Sequence, residues 1–198
     1  MIEPIPNTLR ARNAAATRQA ILKAARRHFA RENYDRVGVR KIARDASVDP
    51  ALISRYFGSK KELFREALQR EGSGTIFDGV ATSDLASHLV SVILDADWDT
   101  EHADEQLDRL LIILHSATSP EASAIVCEAI SKLILIPIAS RLNAPDAPLR
   151  AALALVVLLG SEIVCNVLSP ISMSKVENTA WRRHLTALFN TALSAAKI

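Results

Sequence analysis

The residues whose types could do chemistry crowd into one short stretch, and the chemistry they suit is recognition of a polyanion. Between Val39 and Phe57 the sequence reads VRKIARDASVDPALISRYF, with Gly58-Ser59-Lys60-Lys61 following. Arg40, Lys41, Arg55, Tyr56 and Lys60 supply guanidinium, ammonium and phenol groups of the kind that meet phosphate oxygens. Pro50, Ala51 and Ser54 are small, or carry a single hydroxyl, which lets a helix lie close to base edges. A polyanion presenting both phosphates and base edges is double-stranded DNA.

Groups like these act only if rigid elements hold them. Ile42 and Ala43 mark the inner face of one short helix. Leu52, Ile53 and Phe57 mark the inner face of a second, at helical spacing. The turn Ala46-Ser47-Val48-Asp49-Pro50 joins them, with Val48 as its apolar contact. Asp49 is a strong N-cap, and Pro50 fits the first helical position because its missing N–H has no intrahelical partner there. The pair predicts a helix-turn-helix with the second helix reading DNA. Gly58 ends that helix where a left-handed residue costs least. Ser59, with Glu62 three residues on, forms a capping-box pattern that opens a further helix with Leu63, Phe64, Ala67 and Leu68 inward. Upstream, a helix over Asn13–Glu32, capped by Asn13 or Thr17, has Ile21, Leu22, Ala25 and Phe29 inward and Arg18, Arg26, Arg27 and Arg31 outward. Asn33-Tyr34-Asp35 breaks it, with Tyr34 packing back. Residues 1–12 read as a flexible arm.

Charge divides along the chain. Met1 to Arg70 holds 16 Lys/Arg against 7 Asp/Glu, whereas Glu71 to Ile198 holds 8 against 15. A basic head on an acidic body suits a protein whose head alone meets nucleic acid.

Residues 18–68 resemble the DNA-binding head of the TetR family of transcriptional regulators. The family's opening helix is matched by Ile21, Leu22, Ala24, Ala25 and Phe29, and its aromatic break by Tyr34. Its helix-turn is matched by Val39, Ile42, Ala43, Ala46 and Val48, and its close by Tyr56, Phe57, Ser59, Lys60 and Leu63. Two departures stand out. Ser47 occupies a turn position where the family usually has Gly. Ser54 stands where a Tyr is common, which removes one phosphate contact or shifts it to Arg55.

The rest of the chain predicts an all-α body, giving about nine helices in total. Helices are expected over Leu85–Asp97, Leu107–Ala117, Pro120–Leu142 with a kink at Pro137, Leu149–Leu168, and Asn178–Ala196. The domain reading is therefore an arm (1–12), a helix-turn-helix domain (13–58) and a ligand-binding and dimerisation domain (59–198) whose first helix, 59–71, is the link. Ala151–Leu168 approaches a membrane span in length, but Ser161, Glu162 and Asn166 interrupt it and aromatic anchors are missing. It is read as a core or interface helix, so no membrane partner is expected. The sequence MIEPIPNTLRARN has no apolar h-region. Cys127 and Cys165 read as buried free thiols of a reducing cytosol, which makes the expected location cytoplasmic.

The resemblance implies a homodimer in which the last two long helices pair with their copies, with Leu153, Val157, Val164, Trp181, Leu185 and Leu188 as interface candidates. It also implies a small-molecule effector held in the body. Polar groups inside apolar helical patterns are the candidates to line that site: His115, Ser131, Glu162 and Asn166, with Phe77 and Trp98 at its border or in the core. Glu162 and Asn166 share a helix face and could instead bond each other. The function expected is a repressor released from a palindromic operator by its effector. The alternative is a DNA-binding or architectural protein without a ligand. An enzyme is the rival class, and the sequence offers no catalytic set and no cofactor motif. The five histidines (28, 88, 102, 115 and 184) are scattered, and the acidic run from Asp95 to Asp108 reads as a solvated loop rather than a metal site.

Overall fold

The computed structural model describes residues 7–69, 76–95, 101–168 and 175–194, and the elements there are helices joined by turns. They are α1 (Asn7–Arg31), a 3₁₀ turn (Tyr34–Arg36), α2 (Val39–Asp45), α3 (Pro50–Phe57), α4 (Lys60–Leu68), a 3₁₀ turn (Thr82–Asp84), α5 (Leu85–Leu94), α6 (Glu101–Ser116), α7 (Ser123–Ile130), α8 (Ile136–Ala139), α9 (Ala147–Glu162) and α10 (Lys175–Leu193). A π-helical turn at Ser131–Leu135 joins α7 to α8 without a break, and another at Ile163–Leu168 prolongs α9. Counted as continuous rods, nine helices lie among the described residues.

The chain forms two compact units, Met1–Glu71 with Asp104–Ala129, and Gly72–Ala103 with Ile130–Ile198. In the first, the core is built from Ile21, Leu22, Ala25 and Phe29 of α1, Ile42 and Ala43 of α2, Ile53 and Phe57 of α3, and Leu63, Phe64, Ala67 and Leu68 of α4, all buried. Phe29, Tyr34 and Phe64 meet ring to ring, with centroids 4.9 to 5.9 Å apart. This arrangement gives the core aromatic contacts beyond simple burial. The α6–α7 corner joins the unit through Asn33 Nδ2, which donates to the His115 carbonyl at 2.9 Å, and through Ser119 Oγ, which donates to Asp35 Oδ1 at 2.9 Å. These bonds place α6 and most of α7 with the head, where the sequence reading had put them in the body.

In the second unit, Phe77, Leu85, Leu89, Val90, Ile93, Ile138, Ala151, Ala154, Leu158, Leu185 and Phe189 form the core. The guanidinium of Arg141 donates to the carbonyls of Pro137 (2.7 Å) and Phe77 (2.8 Å), fixing the turn before α5 to the end of α8. Helix α9 has two apolar faces. Ala147, Ala151, Ala154, Leu158 and Glu162 are buried on one, and α9 packs on α5, α8 and α10. Leu149, Leu153, Val156, Val164 and Val167 are exposed, Val156 to 68%. By length and composition α9 with its π turn could cross a bilayer, but its small residues pack it against neighbours as one rod of a helical unit.

Several boundaries differ from the sequence reading. Helix α1 begins at Asn7, so the supposed arm is helical from residue 7. No breaker stands between Pro6 and Asn13, and Thr17 Oγ1 donates back to the Asn13 carbonyl at 2.8 Å instead of capping. Helix α6 starts at Glu101 rather than Leu107. The kink expected at Pro137 takes the form of the π turn ahead of it, because a proline cannot donate to the carbonyl four residues back and the helix widens around its ring. Trp98 and residues 1–6 lie outside the described residues.

Candidate nucleic-acid interface

Helix α3 is fixed at both ends by its own sequence. The Asp49 carboxylate accepts the Ala51 N–H at 2.7 Å, and Pro50 opens the helix. Gly58 closes it with φ +78°, a conformation that any side chain would strain. Ile53 and Phe57 anchor its inner face in the core, and Leu52 and Tyr56 are half-buried at its margins. Pro50, Ala51, Ser54 and Arg55 are exposed on the opposite face. A helix held this way presents a smooth patch with a guanidinium beside it, the shape and charge that fit a major groove.

The turn before α3 bears a strain that glycine would avoid. Ser47 has φ +56°, a left-handed backbone that costs an L side chain roughly 1–2 kcal/mol. Its N–H is bonded to the Arg44 carbonyl at 3.0 Å, and the neighbouring Val48 N–H to the Ala43 carbonyl at 3.0 Å, so the surrounding turn holds it there.

The flanking cations separate into two groups. Arg40 is exposed at the start of α2, and among the described residues Arg40 and Arg55 make no ion pair. Lys61 is exposed in the first turn of α4. Lys41 is tied to Glu32, just past the end of α1, at 3.3 Å. Lys60 is held most closely. Its Nζ donates to the Tyr34 carbonyl at 2.7 Å and sits 4.0 Å from the centre of the Tyr34 ring. Burial pushes the Lys60 ammonium below its ordinary pKa, with Glu121 and Asp35 pulling it back up. Burial, then the same two carboxylates, pushes the Tyr34 phenol up.

Other side chains brace the helices around α3. Arg18 of α1 stacks over the Phe57 ring at 4.8 Å and pairs with Glu66 of α4. His28 Nε2 lies 2.8 Å from Asp45 Oδ2, joining α1 to the end of α2. That hydrogen bond, more than the attached charges, holds the Asp45 carboxyl below its usual range. Arg26, read from sequence as an outward charge, is only 4% exposed, and it donates to the Gln69 carbonyl at 3.1 Å, capping α4. The signal for this role was weak: Arg26 sits next to Ala25 on the inner stripe, and an arginine stem can be buried while its head finds a carbonyl. In the capping box, Ser59 Oγ accepts the Glu62 N–H at 3.1 Å, while Glu62 itself pairs with Arg65.

The residues named for an effector are divided between the two units, His115 in the first and Ser131, Glu162 and Asn166 in the second. His115 is exposed in the first unit, where its backbone carbonyl is the group engaged. Its place in an apolar run reflected the buried residues beside it, so it is not an interior group. Ser131 lies half-buried in the first π turn. Glu162 is 7% exposed and accepts a hydrogen bond from Asn166 Nδ2, the mutual pairing that their spacing allowed. The Cys165 thiol beside them is pushed up, first by burial and then by Glu162. Cys127 is exposed rather than buried. Among the interface candidates, Leu153, Val164, Trp181 and Leu188 are exposed and Val157 is half-buried. Leu185 is 2% exposed, inside the second unit's own core. Periodicity alone does not separate a core stripe from an interface stripe on the same helix. Among the described residues no three metal-ligating side chains converge.

Comparison with known proteins decides the family. Residues 21–67 match the family described as "Bacterial regulatory proteins, tetR family", and residues 83–193, more than half of the chain, match "Tetracyclin repressor-like, C-terminal domain". The chain belongs to the TetR family. Its members are DNA-binding transcriptional regulators, so this TetR-family chain is a regulator and not an enzyme. Among solved structures, GusR of Salmonella enterica is similar with a TM-score of 0.59 at 19% identity, over 88% of this chain and 95% of that one. A TetR-family regulator from Streptomyces coelicolor aligns at a TM-score of 0.44 and 24% identity, over 89% of this chain and 96% of that one. At 19% identity the likeness to GusR speaks to the fold alone. No curated protein matches the sequence.

Proposed function

We propose that this TetR-family protein is a homodimeric cytoplasmic repressor that grips a palindromic operator and is released by a small-molecule effector. The observation that carries the DNA-binding half is the outer face of α3, where Pro50, Ala51 and Ser54 are exposed beside Arg55 on a helix anchored by Ile53 and Phe57. One helix of eight residues touches too few bases to be selective, so a two-fold pair reading two half-sites is required. Support for the pair comes from the apolar faces of α9 and α10, where Leu153, Val156, Val164, Trp181 and Leu188 are exposed. A second copy covering them would form a four-helix bundle, isologous across the axis.

The effector half rests on the second unit, which carries Ser131 on its first π turn and, at the end of α9, the buried Glu162 bonded to the half-buried Asn166 of the second. We place the effector contacts there. An effector releases DNA only if it binds the free form more tightly than the operator-bound form. A melting screen of small molecules, followed by operator titration, tests this. A compound that raises Tm and weakens operator binding, with the response lost in Glu162→Gln, supports the reading. A repressor to which no compound binds, or whose ligands leave operator affinity unchanged, would be a DNA-binding protein without an effector.

A further inference from the structure

We propose that the adjacent lysines Lys60 and Lys61 divide two tasks, Lys61 meeting a DNA phosphate while Lys60 positions the recognition helix from inside the head. The inference rests on the DNA-binding reading of α3 and concerns how that helix is held.

Lys60 and Lys61 both lie in the first turn of α4, just after the end of α3. The sequence names Lys60 for a phosphate contact and gives Lys61 only a flanking place. The structure separates them. Lys60 Nζ donates to the Tyr34 carbonyl at 2.7 Å and rests 4.0 Å from the Tyr34 ring centre. That ring is itself packed against Phe29 and Phe64. Tyr34 opens the turn that precedes α2, and Lys60 follows α3 by three residues. A single ammonium therefore ties the chain entering the helix-turn-helix to the chain leaving it, and closes α2–α3 as one unit. Two carboxylates, Asp35 and Glu121, act on that ammonium, and Asp35 is itself held by Ser119 Oγ. A phosphate brought to Lys60 would meet their negative charge. It would also have to draw the ammonium away from the ring and the carbonyl. Lys61 carries none of these restraints, being exposed, with no ion pair among the described residues.

The salt dependence of binding distinguishes the roles, because each neutralised phosphate contributes about −0.9 to the slope of log K against log salt. The full-length protein is titrated with its selected operator and with a random duplex over a range of salt. Lys61→Gln is expected to reduce the slope by about 0.9 for each protomer and to weaken both duplexes alike. Lys60→Met is expected to keep the parent slope and the random-duplex affinity while losing operator affinity by roughly tenfold, the scale of one lost charge-assisted hydrogen bond. Lys60→Gln, which keeps an N–H donor, should recover most of that loss. Circular dichroism checks that each variant is folded. If Lys60→Met does not fold, the slope of Lys60→Gln decides alone. A slope reduced in the Lys60 variants, with both duplexes weakened in proportion, overturns the proposal, as does a parent slope in Lys61→Gln. Because the random duplex reports the phosphate contribution by itself, the division of labour is decided even if no selective operator exists.

Discussion

Single side chains set how the DNA-facing surface is built and how it responds to change. Arg55 is exposed beside Pro50, Ala51 and Ser54 on the face of α3 proposed to read bases, and its removal touches nothing in the core. Arg55→Ala is expected to weaken operator binding roughly tenfold or more, the scale of one lost charged contact in each half-site. Helicity and oligomeric state should stay at the parent values. Operator affinity unchanged in that mutant would move the recognition surface away from α3. Ser47 offers the opposite test, since its left-handed backbone favours glycine. Ser47→Gly should stabilise the protein by about 0.5–1 kcal/mol, raising Tm by about 1–3 °C for a chain of this size. A lower Tm would mean that the serine hydroxyl does something the turn needs. Asp45 carries the acid response. Its folded pKa lies below the unfolded value of about 3.9, so the unfolded chain binds more protons in that range. The stabilisation is therefore present above about pH 4 and lost as pH falls through the folded value. Asp45→Asn should be less stable than the parent at neutral pH, with the gap closing below about pH 4 in urea titrations.

At the scale of the helix, the same apolar sequence presents two faces, one buried and one exposed. On α9, Leu158 faces α5, α8 and α10, whereas Val156, two residues away, is exposed. Leu158→Ala should cost about 2–5 kcal/mol, as buried Leu truncations do, and leave the dimer intact. Val156→Asp should leave the unit folded and shift the protein to monomer in sedimentation, because a charge cannot be buried unpaired between two copies. A dimer that survived Val156→Asp would place the interface on another face. The two stripes explain what sequence could and could not separate. Leu185 and Leu188 recur with one helical period, yet the first closes the core and the second is exposed. The periodicity marks a helix with apolar faces and is silent on which neighbour covers each. The π turns were equally hidden, since the widening before Pro137 depends on the carbonyls that its ring displaces and the contacts that take them up.

Across the whole molecule, what was legible in the sequence was what is local. Asp49, Gly58 and Ser59 encode their caps within three residues, so the helix-turn-helix and its register could be read directly. The core stripes of α1 to α4 followed from spacing. What spacing did not reveal are partners far along the chain. Arg26 meets Gln69, Lys60 meets Tyr34, and Asn33 meets the His115 carbonyl. A face can be read from periodicity, but a partner cannot. The same limit applies to the effector site, where the pairing of Glu162 with Asn166 followed from their spacing and the surrounding residues did not. Selection of random duplexes by the purified protein shows whether it is a two-fold regulator reading two half-sites. Enrichment of a palindrome with half-sites about one helical turn apart, or a multiple of that, is expected. Enrichment of no sequence, with binding that disappears as salt rises, would contradict it and leave only the phosphate attraction of a basic head.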